Sequence, residues 1–371
     1  MYHSDCDNAA ILRQIDALFI PEGQTLMLLF GEKSGTDFPT LIKALAARGH
    51  SFFGGIFPGI IDGDRHHDRG YLLKSLPLLR PPLLLRGLDS ADFQGPELSR
   101  ALAPLREAAT LLTFVDGLAA NIAPYLSTLY QHFSPTTRFL GGGAGSLTLR
   151  QGPCLFTEAG LVQDAALIAA VDWEVGLGVQ HGWHQLRGPL VATRTERNVI
   201  YELNWENAFE AYARVVNAQS EENIRPENFF SIAKGFPFGI FREKGEDLVR
   251  DPVAVGEAGE IICVGEIPEN AVLYILEGEP DLLIQAAQGA TQHCLREAPE
   301  TIHDTLVVDC ISRALFLQQD FTAELRAIIA PLTTAHPNLR AQGVLSLGEI
   351  SSYREGYLEF YNKTLVLGLW H

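Results

Sequence analysis

The apolar positions of this chain fall into two rhythms, and each marks its elements. Residues 24–31 (QTLMLLFG) form an unbroken apolar run, the pattern of a strand buried on both faces. Behind Asp37, Leu41, Ile42, Leu45 and Ala46 recur at helical spacing. Residues 9–18 predict a short opening helix. Residues 51–62 (SFFGGIFPGIID) are apolar but interrupted by Gly54, Gly55, Pro58 and Gly59, so they predict strand, bend, strand rather than one central strand. A strand resumes over 70–78. Residues 76–88, with Pro77, Pro81 and Pro82, predict a connecting segment without regular structure. A helix opening at Pro96, a buried strand over 109–115 closed by Asp116-Gly117, and a helix over 122–133 behind Asn121 then lead to residues 138–149 (RFLGGGAGSLTL).

That stretch organises the rest. Gly141, Gly142 and Gly143 leave the backbone bare where a strand ends, which serves either a closely approaching ligand or a crowded strand crossing. The strand ends at Asp116 and at the glycine run are expected side by side, with Asn121 facing the crevice they form, the usual ligand position in open α/β sheets. Residues 152–182 change to short antiparallel strands. Another strand is expected over 196–203, then a helix over 205–218 with Ala208, Phe209, Tyr212 and Val215 on one face. Residues 219–252 are charged and rich in Pro and Gly, the composition of a partly mobile linker or lid. Strand and helix signals alternate from 259 onward. The fold expected is therefore α/β, mixed α and β, in two sheet-containing layered domains, 1–171 and 172–371, with a crevice between them.

Composition narrows the partners. The 371 residues are 47% hydrophobic and carry a formal net charge of −17, which disfavours nucleic acid and anionic membranes. No leader-like or membrane-spanning run is visible, so the expected location is cytoplasmic. Cys6, Cys154, Cys263, Cys294 and Cys310 are scattered without a CxxC pair, as reduced thiols would be. The histidines offer metal chemistry: His66 and His67 in a charged hairpin tip, and His181 and His184 flanking Gly182-Trp183 after an apolar strand.

Three late stretches carry a resemblance. Residues 306–313 (LVVDCISR) place Cys310 and Arg313 at a strand-to-helix junction, 343–350 (GVLSLGEI) end a strand at Glu349, and 358–367 (LEFYNKTLVL) contain Asn362. These resemble the carboxy-terminal domain of the FIST family. FFGGIFPGII, FVDGL and FLGGGAGS resemble its amino-terminal domain, and His181-Gly182-Trp183 the junction between them. The resemblance implies a prokaryotic signal-transduction sensor that binds a small ligand. Standing alone, such a chain would signal to a separate histidine kinase or cyclic-di-GMP enzyme. Some stand-alone FIST proteins are nitric-oxide-sensing haemoproteins, and the domain layout here is similar.

Three functions follow as expectations. The first is haem-based gas sensing, with haem b held by His181 or, alternatively, His66, His67 or His184. The second is sensing of an amino-acid-like metabolite clamped by Arg313, Glu349 and Asn362, beside the backbone of Gly54, Gly55, Gly141, Gly142 and Gly143. Here Arg313 and Glu349 either face the ligand or neutralise one another in the core. The third is cysteine-dependent catalysis at Cys310, which would need a nearby base and a lowered pKa. The sensor readings place no catalytic residue. If the glycine run borders the ligand, Gly143→Val is expected to abolish binding in a folded protein.

Overall fold

The structure is a computed structural model that describes residues 1–90, 96–352 and 357–371. Its elements repeat. The first set is β1 (Tyr2–His3), α1 (Asn8–Ala17), β2 (Gln24–Gly31), α2 (Phe38–Ala47), β3 (Phe52–Phe57), β4 (Gly59–Asp62), β5 (Arg65–His67) and β6 (Tyr71–Pro77). The second is β7 (Leu83–Arg86), α3 (Pro96–Leu102), β8 (Thr110–Asp116), α4 (Ile122–His132), β9 (Arg138–Ala144), β10 (Leu155–Thr157), β11 (Gly160–Val162) and β12 (Ala165–Val171). The third opens with β13 (Val175–Gln180) and is then interrupted by an insertion. The insertion holds β14 (His184–Glu196), β15 (Val199–Leu203), β16 (Glu206–Asn207), α5 (Ala208–Val216), α6 (Phe229–Ala233), β17 (Phe238–Ile240), β18 (Leu248–Val255), β19 (Ile261–Val264) and β20 (Val272–Glu277). The third set resumes with α7 (Pro280–Glu297), β21 (Asp304–Cys310), α8 (Ile311–Leu317), α9 (Phe321–Ala335), β22 (Gln342–Ser346), β23 (Glu349–Ser352), β24 (Leu358–Tyr361) and β25 (Leu365–Trp370).

The three sets build three sheets of one design: β1-β6-β2-β3-β10-β11, β7-β12-β8-β9-β23-β24 and β13-β25-β21-β22-β4-β5. In each, one parallel pair (β2/β3, β8/β9 or β21/β22) is flanked by antiparallel neighbours. The outer hairpin is always borrowed. Hairpin β4–β5 pairs with β22, β10–β11 with β3, and β23–β24 with β9. Each repeat thus completes the sheet of another, and no repeat has a whole sheet of its own.

The sheets face a common interior, where Met27, Leu29, Leu112, Phe114, Leu306 and Val308 pack together. Alternate residues such as Leu26, Leu28 and Phe30 point outward beneath α1 and α2, as the two-residue strand period requires. The other outer faces are covered in the same way, by α3 and α4 and by α7 and α9. The insertion forms a seven-stranded sheet whose β14 pairs with both β20 and β15, so it closes on itself around its own core.

Several elements expected from sequence lie where they were placed. Asp37 caps α2, β3 and β4 meet at the Pro58 bend, and Asp116 pairs with Ala144 across the parallel β8/β9 ladder. Two expectations are corrected. Residues 83–86, expected as part of a connecting segment, form β7, because Pro81 and Pro82 precede the strand and leave its ladder bonds to β12 intact. Residues 219–252, expected as a linker or lid, supply α6, β17 and the start of β18 to the insertion. The division expected at 171/172 falls between β12 and β13, and two of the borrowed hairpins, β4–β5 and β23–β24, cross it.

Candidate functional site

The glycines singled out in the sequence are filled by the chain itself. A Cβ on Gly141 would lie 1.7 Å from the Thr113 carbonyl oxygen, one on Gly54 1.9 Å from that of Leu28, and one on Gly343 1.7 Å from that of Val307. The register makes these equivalent: Gly54 faces Leu28, Gly141 faces Thr113 and Gly343 faces Val307 in the three parallel pairs. Each repeat needs a bare Cα there so that the leading strand can approach. Gly55 packs on Phe57 and Leu155, Gly142 on Val308 and the Gly348 carbonyl, and Gly143 on Gly117 and the Leu347 backbone. The crowded crossing is therefore what the structure shows at these positions. A Cβ on Gly143 would sit 2.9 Å from backbone atoms, so Gly143→Val would strain the sheet itself.

The crevice lies just beyond, at the carboxyl ends of β8, β9, β21 and β22. Its inner part has a volume of about 100 Å³, between Gly117, Leu118, Leu147 and Leu149 on one side and Asp251, Val253, Cys310, Ser312 and Asn362 on the other. Gly117, Leu118, Leu149, Val253 and Val264 continue into an outer part of about 370 Å³, which adds Arg197, Asn198, Arg250 and Phe360. The insertion walls one side through β18 and β19. Leu149 adopts φ 51 and is 48% exposed, an unusual conformation for an apolar residue at a cavity wall.

Beneath the inner part is a cluster of charges that the chain neutralises internally. Arg313 is fully buried and uses every N–H: Nε and Nη2 donate to Glu324, Nη1 to the carbonyls of His181 and Lys363, and Nη2 also to that of Leu283. It also lies 3.3 Å from Asp309. Arg313 therefore has no donor left for a ligand, and the clamp expected of it is not formed. Neither Asp309 oxygen has a hydrogen-bond partner, and burial, then the neighbouring Glu324, pushes the Asp309 pKa well above the usual carboxylate range.

Glu349 pairs opposite Gly142 and is also fully buried, accepting from Ser346 Oγ at 2.7 Å and Thr364 N at 3.2 Å. Burial pushes its pKa up to about 8. The buried carboxyls Asp251, Asp309, Glu324 and Glu349 face two buried cations, Arg313 and Lys363. The four carboxyls outnumber the two cations, and burial raises the pKa of Asp309, Glu324 and Glu349 alike. Burial and the neighbouring Glu349 push the Cys310 thiol pKa well up, opposite to the shift that activates a nucleophile.

Asn362 is the expected ligand group that stays available. It is 1% exposed, lines the inner crevice, and its Oδ1 has no hydrogen-bond partner. Asp251, which sequence reasoning missed, sits beside it: Oδ2 accepts from Ser312 Oγ, while Oδ1 lies 3.1 Å from Lys363 Nζ without a hydrogen bond. Asp116 is satisfied by the amides of Leu118 and Asp164 and by Gln151, and so shapes the loop rather than facing the crevice. Asn121 accepts from Arg197 and donates to the Ser90 carbonyl, which ties the insertion to the start of α4.

The histidines are dispersed. His181 is buried with its Nδ1 accepting from Trp183 N at 2.9 Å and its Nε2 bonded to the Asp247 carbonyl at 3.0 Å, so both ring nitrogens are committed. The adjoining cavity of about 630 Å³ is walled by charged residues such as Arg242, Glu246 and Glu359 and by Val179, Tyr357 and Tyr361. His66 packs on Phe321, His67 stacks on Tyr2, and His184 sits near Glu277 and Glu279. In this arrangement the residues at His181 do not fit haem. All five cysteines are free and buried.

Three interlocked sheets and an inserted barrel wall the crevice together. The chain belongs to the FIST family: a model described as the FIST N domain matches residues 25–206, and one described as the FIST C domain matches residues 208–352. FIST domains are signal-transduction sensor domains. The two matches meet inside the insertion, at β16. No curated protein matches the chain. Among the described residues no helix is long and apolar enough to cross a membrane.

Proposed function

We propose that this protein senses a small ligand held in the crevice between the β8–β9 strand ends and the inserted barrel, and that it passes the signal to a separate protein such as a histidine kinase or a cyclic-di-GMP enzyme. The observation that carries this reading is Asn362 Oδ1, an acceptor buried at the crevice wall with no partner in the chain. Leaving such an atom unpaired costs about 1–3 kcal/mol, which a ligand that donates to it recovers. Both the barrel and the sheets wall the crevice, so occupancy favours one arrangement of the two, and a partner reads that arrangement.

The experiment is a thermal-shift screen of soluble metabolites against the wild-type chain and a Val253→Trp variant whose indole fills the crevice, with visible spectra recorded after haemin addition. A ligand that stabilises wild type by about 2–3 kcal/mol near 100-fold excess over Kd, and does nothing to the variant, supports the crevice. Stabilisation that survives Val253→Trp, or stoichiometric haem uptake lost in His181→Ala, places the sensing site elsewhere.

A further inference from the structure

The inserted barrel has one sheet face that the rest of the chain covers only in part. Along β20 the side chains alternate: Leu273 and Ile275 lie in the barrel core, while Val272, Tyr274 and Leu276 belong to the outer face. Leu276 is buried with Trp183 and with Leu283 and Ala287 of α7, and Tyr274 is half-buried against the same cluster. There the cover stops. Val272, next along, is 39% exposed. Phe241, whose amide donates to the Val272 carbonyl and whose ring lies 6.1 Å from that of Tyr274, is 47% exposed. On the other side, Val191 pairs with Val272 across the β14/β20 ladder. The apolar face that packs on the body at Leu276 thus runs on, bare, to the end of the sheet.

Trp205 extends this row. It is 80% exposed at the tip of the β15–β16 hairpin, where Asn204 and Trp205 take φ 52 and 63. That turn shape favours Asn followed by glycine, and a bulky side chain in the second position is strained. The tip is fixed beside β14: Asn204 Oδ1 accepts from Val191 N at 2.8 Å, and Trp205 N donates to Thr193 Oγ1 at 2.9 Å. An indole held in water on a strained but anchored turn contributes nothing to the barrel core. Strain of this kind gathers at functional positions, and a rigidly presented tryptophan is the strongest type of anchor at a protein interface.

The charges decide the occupant. Exposed Glu206, Glu243 and Glu269 follow or precede Trp205, Phe241 and Val272 closely in the chain, while Arg214 and Arg242 are held by Glu206 and Glu359. The insertion carries more acidic than basic residues, and the whole chain has a formal net charge of −17. A second copy would set the same acids against one another across a twofold axis, and nucleic acid or anionic lipid would be repelled. We infer that this face of the inserted barrel is the docking surface for a partner protein that presents an apolar patch bordered by lysine and arginine, with Trp205 as the anchor. This rests on the reading that the chain acts through a separate protein, and adds where that protein sits and what its surface carries.

The test is photocrosslinking of the full chain in its own cells, with p-benzoylphenylalanine in place of Phe241 and, in a second strain, in place of Phe19, which is 90% exposed after α1. Position 241 is expected to join one protein other than this chain, at a peptide rich in lysine and arginine. Trp205→Gly and Glu269→Lys are each expected to lower the yield of that adduct, Trp205→Gly by at least about tenfold. Glycine suits the turn, so the Tm of Trp205→Gly should hold or rise, which separates loss of docking from loss of fold. An adduct between two copies, an adduct indifferent to Trp205→Gly, or none at position 241 overturns the surface. Adducts with another protein from position 19 alone would then leave the separate partner standing, whereas none from either position would remove both.

Discussion

Glu349→Gln isolates the electrostatics of the buried cluster. Glu349 is wholly buried between Ser346, Thr364 and Cys310, and burial raises its pKa from 4.5 to about 8. Between these values the folded chain holds a proton that the unfolded chain has released. Its stabilising contribution is therefore complete below about pH 4.5, declines as pH rises, and is lost above about pH 8. Each pH unit in that window costs at most about 1.4 kcal/mol, so the whole effect is bounded near 5 kcal/mol. The raised pKa of Asp309 acts in the same direction. Glutamine keeps the shape of the neutral acid and cannot ionise, although one extra amide donor lacks a partner and offsets about 1 kcal/mol of the gain. Urea denaturation of both proteins at about pH 5, 6, 7 and 8, at constant ionic strength, is the assay. The variant is expected to gain about 2–4 kcal/mol on wild type across that range. A difference that stays flat with pH would refute the protonated state of Glu349.

Two further outcomes probe the architecture and the crevice. Gly141→Ala forces a Cβ to 1.7 Å from the Thr113 carbonyl inside a central ladder, so its cost should exceed the ~1–3 kcal/mol of ordinary overpacking, while Gly152→Ala, with open space around it, should leave Tm unchanged. A Tm for Gly141→Ala within about 2 °C of wild type would contradict the close strand approach. Arg197→Ala removes the donations from the insertion to the Ala120 carbonyl at 2.6 Å and Asn121 Oδ1 at 3.0 Å. With an exposed side chain at stake, stability should fall by no more than about 1 kcal/mol, yet hydrogen exchange over residues 117–123 should quicken. Unchanged protection there would mean that this contact does not hold the crevice closed.

Much of the local structure was legible along the chain. Buried strands such as 24–31 and 109–115 announce themselves by unbroken apolar runs, and α2 by its cap and spacing, because those signals depend on neighbours within one or two turns. The glycine run lies inside β9 rather than where that strand ends, and whether it met a ligand or another strand depended on Thr113 and Leu347, which no local pattern connects to it. Its equivalents at Gly54 and Gly343 carry the repeat signal, one glycine on each second parallel strand. Divergence of the flanking residues (FFGGIF, FLGGGA and QGVLS) hides it from inspection.

At the site, Asn362, Cys310 and the 117–118 turn were recognisable from their stretches, and the structure brings them to one crevice. Arg250 and Asp251 were not, since they lie in a segment whose charged composition reads as linker while tertiary packing makes it a strand of a closed sheet. The sequence by itself determined the alternation of strands and helices, the acidic and reduced character of the chain, and its family, because each is a property of composition or short-range spacing. Only the tertiary structure decided which arginine is neutralised and which is left open. A guanidinium's role depends on whether a carboxylate stands within a few ångströms, and here the partner of Arg313 is Glu324 on α9, one helix further along the chain, while Arg250 has none among the described residues.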